Sequence, residues 1–189
     1  MERFSLPILL TTTLVALGTV SLAANPDQVK QLINTRDCPG CDLTEASLYS
    51  YDLVGANLKG ANLTSAALQG STLNSATLTD AVLEQANLAL VKFERANLQG
   101  AKLFKANLYG ADLSEADLTG ADLREANLEG ADLRNANLTG ANLQKANLAK
   151  AKVRGVIATG ANLSGARMPD GSEFKQSPAQ PTPTPQPTK

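Results

Sequence analysis

Cys38-Pro39-Gly40-Cys41 is the stretch of this 189-residue chain that most invites chemistry. Two thiols with two residues between them serve as a redox dithiol, as half of a zinc site, or as a structural disulfide. A redox dithiol needs a thiolate stabilised at a helix N-terminus in a thioredoxin-like βαβ setting, and here the motif follows a predicted helix. A zinc site needs four ligands, and the chain has two cysteines and no histidine. Across a Pro-Gly turn in an oxidising compartment the thiols are expected to join, so Cys38 and Cys41 are assigned as a disulfide. Both also keep the inward phase of the repeat described below, and in a reduced chain they would be small core residues.

A second concentration of reactive groups is acidic. Asp112, Glu115, Asp117, Asp122, Glu125, Glu129 and Asp132 fall in one window with Arg124 alone opposing them. They are spread over several faces of the expected fold, with no cleft to drive two carboxyl pKa values apart. The absence of histidine removes Ser-His-Asp and Cys-His catalysis and imidazole metal sites. No catalytic residue, metal or cofactor is expected, and the chain reads as non-enzymatic. Leu133 to Pro169 carries Arg134, Lys145, Lys150, Lys152, Arg154 and Arg167 and no acid, so the repeat is acidic and then basic along its length. The net charge of −1 gives no overall field pointing to nucleic acid.

The element that must hold these groups is a period of five. Leu recurs every fifth residue from 43 to 88 and from 98 to 148, and Phe93, Val153, Ala158 and Met168 keep the phase. Cys41 to Asp170 makes 26 five-residue units, 22 with Leu at the centre and 21 with Ala two residues before it. Between Ala and Leu stands mostly Asn or Asp. An α-helix would rotate successive leucines by roughly 140° and spiral them over all faces. A straight strand would send them to opposite faces. A chain that bends once per unit turns Ala and Leu inward together and the residue between them outward. Eleven of the 14 glycines fall two residues after the centre, where a turn favours positive φ. Their alternation at 100, 110, 120, 130 and 140 predicts two kinds of corner. Aromatics are 4% of the chain, so the core is built from Leu and Ala.

The A-(N/D)-L-x-x array resembles the pentapeptide repeat family over about 130 residues. The resemblance implies an all-β solenoid, a right-handed quadrilateral β-helix with four units per coil. That gives six and a half coils and a rod of roughly 30 Å at the usual strand spacing. Residues 20 apart then become neighbours, placing Lys105, Glu125 and Lys145 in one column and Arg95 beside Glu115. Phe93 is expected to bulge or displace a neighbour, and Tyr51, Val91 and Val156 to crowd inward positions meant for Ala. The coil near Lys152 to Thr159 is expected to be the least regular.

Residues 1–23 read as a signal peptide: a weakly positive start, a mostly apolar run from Phe4 to Val20, and Ser21-Leu22-Ala23 as a small-residue cleavage site. Residues 24–37 form a capping helix, with Asn25 as N-cap, Pro26 at the first helical position and Val29, Leu32 and Ile33 on one face. The β-helix occupies 38–171, with Phe174 folding back over its last coil. Residues 172–189 are a Pro-rich disordered tail. The predicted role is a structural or protein-interaction solenoid in the periplasm or thylakoid lumen after cleavage near Ala23, with an unknown protein partner or self-association through coil ends. It would have no stable membrane insertion after cleavage and no nucleic acid. The alternative is the gyrase inhibition by DNA mimicry found among pentapeptide repeat proteins, which asks for a cytoplasmic and strongly negative rod.

Overall fold

The computed structural model describes residues 24–175. The signal-peptide reading and most of the Pro-rich tail lie outside the described residues. The chain opens with helix α1 (Pro26–Thr35). The Asn25 side chain accepts from the N–H groups of Asp27 and Gln28, and Arg36 ends the helix in the left-handed region at φ 57°.

From Asp37 onward every fifth residue forms a parallel bridge to the residue 20 positions later: Asp37 to Asn57, Asp42 to Asn62, Ser47 to Ala67, Asp52 to Thr72. Four units therefore complete one coil, and the solenoid is quadrilateral. Each side is a single bridged residue rather than a run of strand.

The unit Ala111–Glu115 shows why five residues suffice. Ala111 N–H closes a turn onto Leu108 O at 3.0 Å, and Asp112 N–H reaches back one coil to Val91 O at 2.9 Å. Leu113 N–H reaches forward to Asp132 O at 2.7 Å, and Glu115 N–H reaches Arg134 O at 2.9 Å. The remaining donor, Ser114 N–H, is taken by Asp112 Oδ1 at 3.0 Å. All five N–H groups are paired, as a buried or half-buried backbone requires. The Asn or Asp before each centre is thus an Asx-type clamp on its own corner. Asn62, Asn97, Asp122 and Asn142 repeat the contact. Where Lys92 occupies the clamp position, Asn74 of the preceding coil supplies the oxygen to Glu94 N–H instead. On one side the asparagines also pair with each other, Asn147 donating to Asn127, Asn127 to Asn107 and Asn107 to Asn87 at 3.2–3.3 Å.

Four expectations are corrected. The corners are of one kind. The residue two after the centre has positive φ whether it is Gly120 (66°), Glu125 (58°) or Leu90 (60°), the pattern of a type II turn. Ring closure imposes the angle, and glycine only lowers its cost. At Gly120 an added Cβ would meet nothing within 4 Å. Gly120→Ala is therefore expected to lose about 1 kcal/mol through backbone strain alone, read from the urea midpoint at unchanged m-value. Phe93 is fully buried without a bulge, since Leu73 N–H to Lys92 O and Phe93 N–H to Asp112 O both stay at 2.7 Å.

Tyr51 does not crowd the core. The buried Ser71, one coil further on, accepts Tyr51 N–H at 3.0 Å and donates to Leu48 O, replacing the usual turn bond. The Tyr51 ring is turned out, at 37% exposure. Because Ser71 is small, Val91 fits above it fully buried. Finally, Lys152 to Thr159 keeps the regular backbone, with Lys152 and Ile157 bridged to Asp132 and Asn137. What this coil lacks is cover, because it is the last. Ile157 is 54% exposed.

The core is a column of stacked leucines and alanines with Leu113, Leu118 and Leu123 at or near zero exposure. Helix α1 closes one end by burying Leu32 and packing Val29 and Ile33 against it. At the other end Phe174 N–H donates to Ala166 O at 2.7 Å, and the ring rests partly buried on the core.

Candidate functional site

Cys38 and Cys41 stand at disulfide distance, with Cα atoms 5.4 Å apart. Both are buried and belong to the first corner of the solenoid, Cys38 at a centre position and Cys41 at an inward alanine position. A bond between them would staple this corner rather than join helix to coil. The helix is held by other contacts. Gln28 Oε1 accepts Asp42 N–H at 2.6 Å, Gln31 donates to Asp37 O at 2.8 Å, and Asn25 N–H reaches Asp42 O at 3.3 Å. Cys38 Sγ also lies 3.4 Å from Gln28 O.

The acidic window is not a bare negative surface. Five of its seven carboxylates are met by a base, four of them by one about a coil away. Arg95 holds Glu115 at 2.8 Å and Lys105 stands 3.6 Å from Glu125, both 20 residues apart. Lys150 pairs with Glu129 at 2.9 Å and Arg124 with Asp122 at 2.6 Å. The first two are expected pairs of the columns, while Lys145, expected to continue the Lys105–Glu125 column, makes no ion pair among the described residues. Being largely exposed, these pairs add little stability each.

Asp132 is the exception. Its side chain is 11% exposed and is gripped by Arg134 at 2.7 Å and Lys152 at 3.1 Å. The Arg134 guanidinium, aided by Arg134 N–H and Lys152, holds the carboxyl far below the ordinary carboxylate range, outweighing the burial that pushes it up. A depressed native pKa stabilises the fold at pH values above the unfolded pKa, about 4, and that contribution drains away as pH falls through the native value. The unfolding free energy of the wild type should therefore exceed that of Asp132→Asn at pH 6, and the gap should shrink steadily below about pH 4. A gap that does not change from pH 6 to acid would contradict the ion pairs.

Beside Asp132 an open depression of about 530 Å³ is lined by Glu94, Asp112, Ser114, Glu115, Arg134 and Arg154. It is a gap between side chains of opposite sign on one corner column. Lys92 and Lys152 flank Asp112 and Asp132 along the same side. Its carboxylates Glu94, Asp112 and Glu115 face Arg134 and Arg154, so it offers a charged contact surface of mixed sign.

A four-sided β-solenoid built from A-(N/D)-L-x-x units, clamped by Asn and Asp and closed at its head by a helix, defines a class of protein. The model of the pentapeptide repeats matches the chain in 8 copies over residues 41–80, 73–110, 101–140 and 136–170. The chain belongs to the pentapeptide repeat family.

Solved structures similar to it include the pentapeptide repeat protein Rfr23 of the cyanobacterium Cyanothece 51142. That protein is 27% identical over 72% of this chain and 97% of its own, with a TM-score of 0.47. HetL, involved in heterocyst differentiation regulation in a Nostoc cyanobacterium, is 33% identical over 73% and 78%, with a TM-score of 0.34. A pentapeptide repeat protein of the Arabidopsis thaliana thylakoid lumen is 38% identical over 52% and 65%, with a TM-score of 0.40. No curated protein matches the chain significantly.

Proposed function

We propose that this pentapeptide repeat protein is a non-enzymatic interaction solenoid that works outside the cytoplasm, with Cys38 and Cys41 joined as a disulfide in its first corner. The observation that carries the reading is the buried cysteine pair at disulfide distance in that corner. In an oxidising compartment such a pair closes without rearranging the coil. The apolar run at 4–20 with Ser21-Leu22-Ala23 supports export, and so does the likeness to a thylakoid-lumen protein. The chain as a whole divides here into a removed leader (1–23), a capping helix (24–37), the solenoid (38–171) and a Pro-rich tail (172–189).

Gyrase inhibition is disfavoured by the acidic window itself. A phosphate mimic needs unneutralised carboxylates in register, and Glu115, Asp122, Glu129 and Asp132 are each met by Arg or Lys. Fractionation of native cells with an antibody to the chain tests the compartment, and a supercoiling assay tests the alternative. The reading predicts protein in periplasm or lumen and no inhibition at micromolar concentration. Cytoplasmic protein that blocks gyrase would overturn it.

A further inference from the structure

The two ends of the rod are built differently. At the head, α1 covers the first coil. At the tail the last coil, residues 151–170, leaves three of its four sides without a following coil. The N–H groups of Val153, Gly155, Ala158, Gly160, Leu163 and Gly165 have no hydrogen-bond partner among the described residues. Their counterparts one coil earlier, Leu133, Asn135, Leu138, Gly140, Leu143 and Lys145, all donate forward at 2.7–3.0 Å. The fourth side alone is closed, by Met168 N–H to Ser172 O at 2.7 Å and by the antiparallel bridge of Arg167 to Glu173.

Inside this open edge lies an apolar cavity of about 110 Å³, lined by Leu133, Leu138, Leu143, Leu148, Val153 and Met168 among others. Its space arises where Ala158 stands at a centre that other coils fill with Leu. Around the rim the unpaired charge is basic. Lys145, Arg154 and Arg167 make no ion pair among the described residues, and Lys150 and Lys152 beside them are held by Glu129 and Asp132.

We propose that this end is a docking edge for an extended, acidic segment of a partner protein that adds to the ladder as a further coil side. The three demands of the edge define the partner's chemistry. Backbone carbonyls accept the six N–H groups, as in strand addition to an open sheet edge. Apolar side chains at alternate positions enter the cavity. Carboxylates between them meet the basic rim. The rim sets two copies of this tail against each other by like charge, so a tail-to-tail dimer is disfavoured. This inference deepens the reading of the protein as an interaction solenoid and rests on it. Its test is made on purified protein, so its failure leaves the compartment and the cysteine pair untouched.

The probe is a labelled 20-residue peptide with the sequence of residues 111–130, an acidic coil of this chain with net charge −5. The peptide is titrated with the full chain by fluorescence anisotropy. Saturable binding is expected, weakened at least about tenfold when the acids of the peptide are changed to lysine. A similar loss is expected for Val153→Asp, which sets a like charge at the cavity. Should that variant fold poorly by circular dichroism, Arg154→Glu with Arg167→Glu alters only rim residues and must show the same loss. No saturable binding, or equal binding of the lysine peptide, overturns the proposal. So does a concentration-dependent mass in sedimentation that Val153→Asp abolishes, which would make a second copy the occupant.

Discussion

Leu113→Ala is expected to lower the unfolding free energy by about 2–5 kcal/mol, the range for a leucine removed from a close-packed core. Leu113 is fully buried, and its backbone is pinned between Val91 and Asp132 by the bonds on either side. The ladder therefore resists the collapse that would otherwise fill the cavity. A solenoid coil touches only its neighbours, so the loss should spread one coil at a time. Hydrogen exchange should quicken first in residues 93–133 and leave the distant coils protected. A change below about 1 kcal/mol would mean that Leu113 does not face a packed interior.

The second large effect belongs to the cap. Leu32 is the buried side chain of α1 and has zero exposure. Leu32→Ala is expected to cost about 2–5 kcal/mol of cap docking. Its signature differs from that of Leu113→Ala. The helix is too short to persist alone in water, so losing its anchor frees the amides of α1 and of the corners that Gln28 and Gln31 hold at Asp42 and Asp37. The first coil should then exchange quickly while Leu113 N–H stays protected. Uniform loss of protection along the rod would show that the cap and the central coils unfold as one unit.

Much of this structure is legible as a list of positions. The period of five excludes helix and straight strand, and the phase alone places Leu and Ala inside. Arg95 beside Glu115 and Lys105 beside Glu125 follow once four units make a coil. The four-sidedness was implied by family resemblance, and the bridges between residues 20 apart now carry it.

What escaped the sequence is what depends on a neighbour one coil away. Tyr51 turns out because Ser71 intercepts its turn, and nothing local to Tyr51 signals that. Val91 fits because the same Ser71 leaves it room. The acidic window looked unopposed because its partners, Lys150 for Glu129 and Lys152 for Asp132, lie about one coil later. The clamp role of Asn and Asp was available in the pattern, since a corner N–H with no other acceptor needs one. The spacing of glycines misled, because every corner from Gly40 to Gly165 adopts the left-handed angle and glycine marks only where it is relieved. For the cysteines, the phase put both inside, and the first corner is where they are.

The measurement that bears most directly on the account is an intact mass, taken without reductant, on protein recovered from separated native cell fractions. The expected result is a chain that begins near Ala24, comes from outside the cytoplasm, and is about two daltons lighter than its fully reduced form, the mass of the two hydrogens lost on joining Cys38 to Cys41. A full-length chain from the cytoplasm at its reduced mass would contradict it, making the two cysteines core residues and returning the search for partners to the cell interior.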